Sequence, residues 1–117
     1  MKSLLVISRH PPALHAAREA LDMVLAAAAF GVPCGILFMD DGVLQLLNGQ
    51  DAQQIKQKSL AANLQALSIF GVEDILVCEH SLRQRGIPAT LCSPEPRAVS
   101  SAEITALLTH YDQVVTL

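Results

Sequence analysis

The apolar residues of this chain come in short unbroken runs rather than in alternation. Leu4 to Ile7, Cys34 to Met39 and Ile75 to Val77 are each apolar at nearly every position. A strand with one wet face alternates apolar and polar residues; a short unbroken run belongs to a strand covered on both faces. Between the runs the period changes to that of a helix. From Ala13 onward Leu14, Ala17, Leu21, Val24, Leu25 and Ala28 fall on one face, with Gly31 as the natural cap. Asp51 with Gln54 opens a second helical stretch, reaching Phe70 and stopped by Gly71, with Ile55, Leu60, Leu64 and Leu67 inward. Ser100 with Glu103 forms a capping box for a last helix of about two turns through Ile104, Leu107 and Leu108. A fourth strand is expected within Ile87 to Cys92 and a fifth from Tyr111 to Leu117. Strand and helix alternate throughout, so the expected fold is α/β, a mostly parallel sheet covered on both faces.

Length and charge narrow the function classes. A chain of 117 residues has room for one domain, here 1–117. It is 51% apolar and only 16% charged. So lightly charged a small chain should hide more surface than a monomer can, which argues for a permanent partner subunit. The net charge of -3 argues against direct nucleic-acid binding. No run approaches the length of a membrane span and the start does not read as a signal peptide, so a soluble, cytoplasmic protein is expected. Cys34, Cys78 and Cys92 are odd in number and widely spaced, so no disulfide framework is expected. No phosphate loop, dinucleotide fingerprint or metal-ligand spacing is present, and neither cofactor nor metal is expected.

One segment is site-like. Ile75-Leu76-Val77 runs into Cys78, and Glu79-His80-Ser81-Leu82-Arg83-Gln84-Arg85-Gly86 follows as a short helical stretch. Open parallel sheets place reactive groups at the carboxyl ends of their strands, which is where Cys78 falls. The positive end of the next helix, with Arg83 and Arg85, would favour a thiolate able to carry sulfur as a persulfide, while Glu79 opposes it. The alternative is a cysteine acting as a small apolar residue. His10, Asp40 and Asp41 end strands at the same edge and, with His80, are candidates for lining a site. An ordinary Asp-Gly turn explains the two carboxylates equally well. The apolar stretch Val43-Leu44-Gln45-Leu46-Leu47-Asn48-Gly49-Gln50 is expected to lie over the sheet edge in an interface or site.

These motifs, in this order, resemble the TusC/DsrF family. Met39-Asp40-Asp41-Gly42-Val43-Leu44-Gln45-Leu46-Leu47-Asn48-Gly49-Gln50 is similar to that family's "DGVFQLL-GQ" segment, with Asn48 where relatives carry proline. Cys78-Glu79-His80-Ser81-Leu82-Arg83-Gln84-Arg85-Gly86 is similar to its "C-x-x-SLRxRG" segment. Ser8-Arg9-His10-Pro11-Pro12, the stretch Ala17 to Asp22, and Tyr111-Asp112 fit as well. The resemblance implies a three-layer α/β/α sandwich around a five-stranded, mainly parallel sheet. It implies assembly with TusB/DsrH-type and TusD/DsrE-type subunits as a dimer of heterotrimers. Such assemblies relay persulfide sulfur to a downstream acceptor protein, toward 2-thiouridine at the tRNA wobble position, or serve sulfur oxidation in the Dsr branch. In that family the indispensable sulfur-carrying cysteine belongs to the TusD/DsrE-type subunit, and Cys78 is its positional counterpart. Val43, Leu44, Leu46, Leu47 and Gln50 are then interface candidates, and their leucines are expected to be exposed. Two readings stand beside this one: Cys78 carrying persulfide itself, and a stand-alone homo-oligomeric binding module.

Overall fold

The computed structural model describes residues 2–47, 60 and 62–117. Five strands, β1 (Leu4–Ser8), β2 (Cys34–Phe38), β3 (Asp74–Cys78), β4 (Arg97–Val99) and β5 (Gln113–Thr116), form one sheet in the order β4-β3-β2-β1-β5. All four ladders are parallel. The helices are α1 (His15–Ala29), α2 (Glu79–Gln84) and α3 (Ser101–His110). A 3-10 segment spans Asp40–Leu46, residues 62–65 are helical, and a short 3-10 turn covers Ala89–Leu91. Of the helix expected from Asp51 to Phe70, residues 51–59 and 61 lie outside the described residues.

Strand alternation divides the core into two layers. Val6, Ile36, Phe38 and Val77 face α1 through Ala20, Leu21 and Val24, together with Leu60, Leu64 and Leu67. Leu5, Ile7, Leu37, Leu76 and Val99 face the other way, against Tyr111 and the inner side of α3 at Ile104 and Leu107. The unbroken apolar runs are thus explained by burial on both faces, and the result is an α/β/α sandwich. Leu14, expected on the inner face of the first helix, lies just before α1 and is half exposed.

The fourth strand is corrected. Ile87 to Cys92 contains a 3-10 turn, and the strand beside β3 is Arg97–Val99. Pro88 fixes its φ and donates no backbone bond, and Leu91 and Cys92 donate to Pro88 and Ala89 within the turn. Cys92 therefore sits on an isolated antiparallel bridge with Leu47, outside the sheet. The last helix runs ten residues, longer than two turns. Its capping box is as expected: Glu103 N–H donates to Ser100 Oγ at 3.3 Å, and Ser100 N–H to Glu103 Oε1 at 3.2 Å. Ser100→Ala should cost about 1 kcal/mol, read as a lower denaturant midpoint with an unchanged slope.

Candidate functional site

Every strand ends at one edge of the sheet, and the sequence between Phe38 and Leu46 organises that edge. Met39 N–H donates to the Ser8 carbonyl, so the chain leaving β2 turns over the end of β1. Asp40 adopts φ +52°, a left-handed conformation that aspartate tolerates better than most residues. It is held on both sides. Its N–H donates to Ser81 Oγ at 2.9 Å, and its Oδ2 accepts from Arg9 Nε at 2.7 Å. Asp41 Oδ1 accepts from Arg85 Nη2 at 2.9 Å, and Arg85 Nη1 donates to the Ser81 carbonyl at 3.2 Å. Two strand exits and the helix after Cys78 are thereby joined through one turn. Neither the Asp40–Ser81 bond nor the Asp41–Arg85 pair is suggested by sequence spacing, since their partners are over forty residues apart.

Gln45 lies within the stretch expected over this edge, but nothing in the sequence singles it out from its neighbours. It is buried, and its Nε2 donates to Ser8 Oγ at 2.8 Å and to the His10 carbonyl at 3.0 Å. Among the described residues its Oε1 has no hydrogen-bond partner. A glutamine between Leu44 and Leu46 carries no signal by itself; the buried position emerges only once the 3-10 segment is laid across β1.

Cys78 stands at the end of β3, 5% exposed, paired in register with Val99. By strand alternation it belongs to the α3 side of the sheet with Leu76 and Val99, whereas Ser8 belongs to the α1 side with Val6. The edge therefore has two compartments, and Cys78 and Gln45 are on different sides of it. The helix that Cys78 caps has six residues and carries Glu79 in its first turn, 3.6 Å from Arg83 at their charged ends. Its N-terminal field is correspondingly small. Burial pushes the Cys34 and Cys92 thiols up, with the Glu73 charge adding to the effect at Cys34, so neither is a ready nucleophile.

The other expected site residues are placed as follows. His10 and His80 are exposed, and Asp40 and Asp41 are engaged in the ion pairs just described. Val43 and Leu46 have no exposed surface, so the expectation of exposed leucines in this segment is corrected there: the 3-10 turn directs them into the α1-side core. Leu44 and Leu47 are half-buried. Gln50 lies outside the described residues. Among the described residues no group of three or more His, Cys, Asp or Glu could hold a metal ion. Nor is any helix among them long and apolar enough to cross a membrane.

At the opposite, amino-terminal edge, Tyr111 closes the second core. Its hydroxyl donates to Asp74 Oδ2 and lies over Gly35, where an added Cβ would come within 2.6 Å of it. Burial, then the bond to and charge of Asp74, push the Tyr111 phenol well above its usual range.

A model described as the DsrE/DsrF-like family matches residues 1–117. The chain is 47% identical over 117 residues to a Pseudomonas aeruginosa protein named "Protein TusC homolog", covering 99% of this chain and 98% of that one. It is 33% identical over 111 residues to "Protein TusC" of Shigella flexneri, covering 94% and 93%. Among solved structures, the crystal structure of the ychN protein from E. coli superposes with a TM-score of 0.84 at 18% identity, over 100% of this chain and 99% of that one. At that identity the likeness concerns the fold.

Proposed function

The chain belongs to the DsrE/DsrF-like family, and from that premise we propose that it works as the TusC-like subunit of a heteromeric sulfur-relay assembly. It would stand beside TusB-like and TusD-like partners in a dimer of heterotrimers, with 1–117 as a single domain. The assembly would pass persulfide sulfur to a downstream acceptor, toward 2-thiouridine at the tRNA wobble position. The full-length similarity to proteins named TusC is the observation that carries this reading. Surface character supports it. Phe30 and Ile69 are each 84% exposed, and Phe70, Leu91 and Leu108 about half exposed, apolar surface available to a partner.

In this reading the chain contributes shape and interface, and the sulfur is carried on a sister subunit. Cys78 is buried at a strand end, and the charges around it are taken up by the Glu79–Arg83 and Asp41–Arg85 pairs. His10, Asp40, Asp41 and His80 line the shared edge. Leu44 and Leu47 offer contact surface and Val43 and Leu46 support it from beneath; Gln50 belongs to the same sequence segment.

The test is Cys78→Ser in the reconstituted assembly. Sulfur delivery to the acceptor by the variant assembly should remain at the wild-type level, and intact-mass measurement of the wild-type chain after exposure to a persulfide donor should find no sulfur adduct on Cys78. Loss of delivery together with an adduct on the wild-type cysteine would instead make this chain a carrier. Failure to form any hetero-complex on co-expression with TusB-like and TusD-like chains would overturn the subunit reading itself.

A further inference from the structure

The two edges of the sheet are finished differently. β4 is three residues long, follows Pro94 and Pro96, and begins with Arg97, whose guanidinium is paired with Glu103. Proline, charge and brevity are the usual devices that keep an edge strand from pairing with another chain. β5, one residue longer, carries neither proline nor charge. It reads Gln113-Val114-Val115-Thr116, uncharged, β-branched at three of four positions, and exposed along most of its length.

The inner side of β5 is satisfied by β1. Gln113 N–H donates to Ser3, Leu117 N–H to Ile7, and Arg9 N–H returns to Leu117. In a parallel ladder alternate residues bond to the same neighbour, so Val114 and Thr116 direct their N–H and C=O groups outward. No strand lies beyond β5 among the described residues. α3, which packs on the Val114 side of the sheet, has no fully buried residue, and its only Asp, Glu, Lys or Arg is Glu103. Leu108 and Val114, 46% and 36% exposed, share that face.

We propose that β5 is a seam at which a second copy of this chain adds its own β5, antiparallel, about a two-fold axis at Val115. That register pairs Val114 with the copy's Thr116 and Thr116 with its Val114, so each pair exchanges two N–H···O bonds and all outward groups of both residues are met. Val115 faces its own equivalent as a non-hydrogen-bonded pair. The match is self-complementary, as a two-fold interface must be. No charge on β5 meets a like charge across the axis, and the uncharged outer side of α3 falls beside its counterpart. The seam is independent of the sulfur-relay reading, since it rests on the backbone of one strand.

Three measurements on the full chain test it, alone and co-expressed with its paralogous chains. Val115→Cys, oxidised with diamide, should give a disulfide-linked homodimer, because non-hydrogen-bonded antiparallel pairs bring Cα atoms to about 4.5 Å. The three native thiols are buried and should not compete. Thr116→Pro removes an outward N–H without touching the β1 ladder, so the native mass should fall from two chains to one with an unchanged circular dichroism spectrum. Hydrogen exchange should find the Val114 and Thr116 amides protected in a concentration-dependent way in the wild type. A monomeric wild-type chain with no Val115→Cys cross-link overturns the seam. Protection that appears only with the paralogous chains, again without the cross-link, also overturns it and assigns the edge to a different strand. Because the homodimer is read on the chain alone, its failure is distinct from failure to assemble with paralogs.

Discussion

Gly42→Ala should remove much of the chain's native stability. A Cβ at this position would stand 2.0 Å from the Ser8 carbonyl oxygen and 2.8 Å from its carbon. Both atoms belong to the backbone of β1, and that carbonyl already accepts from Met39. No flexible side chain can give way, so either the turn lifts from β1 or the strand end moves. Lifting the turn would strain the Asp40 bonds to Ser81 and Arg9 and the Gln45 bonds to Ser8 and His10. Overpacking ordinarily costs about 1–3 kcal/mol, and a backbone obstacle belongs at or beyond the upper end. That is a large share of the roughly 5–15 kcal/mol available to a small domain. Denaturant unfolding checks it, with Gly86→Ala as the contrast. Gly86 has φ +64° and nothing within 4 Å of an added Cβ, so only its conformation is strained, at about 1 kcal/mol. Equal midpoints for the two variants would show that the turn retreats freely.

The second large effect concerns alkali. Tyr111 is the chain's single tyrosine, and there is no tryptophan, so tyrosinate absorbance reports this one side chain. Burial and Asp74 raise its pKa in the folded state. In the unfolded chain a tyrosine ionises near pH ~10. Above that pH the unfolded state binds fewer protons than the native one, and stability falls as pH rises; below it, this stabilising contribution is fully present. Tyrosinate should therefore appear together with loss of the circular dichroism signal rather than before it. Tyr111→Phe should remove this alkaline limb while costing about 1–3 kcal/mol at neutral pH, because Asp74 loses the hydroxyl that serves it. A tyrosinate midpoint at the ordinary value, with the fold intact, would refute the account.

Where the sequence was legible, the reason is physical. β1, β2 and β3 are buried on both faces and leave unbroken apolar runs, and the Ser100–Glu103 box is a local signal that needs no tertiary information. β4 is not legible because a three-residue edge strand beginning with Arg97 has no apolar run to show, while the stretch from Ile87 to Cys92 is mostly apolar. At the site, Cys78 could be placed at a strand end from its neighbours. That it shares a face with Val99 and not with Ser8 follows only from register across strands. The Asp40–Ser81 and Asp41–Arg85 contacts, like the burial of Gln45, depend on one turn crossing two others, and no short-range pattern records that crossing.

The strand order also bears on when the molecule acquires its parts. β1 through β4 each lie beside the next strand in sequence, so four strands can zip in turn as local closures. β5 pairs with β1, and the Ser3–Asp112 bonds that anchor it join residues 109 apart. From the unfolded chain that is the longest loop in the sheet, but once β1 to β4 are paired only residues 100–112 remain to be closed, so β5 docks at least entropic cost after the other four strands. An intermediate with four paired strands would expose β1 rather than β5 as its edge. The last step of folding then covers one adhesive edge and presents another, so self-association through β5 waits on a finished sheet.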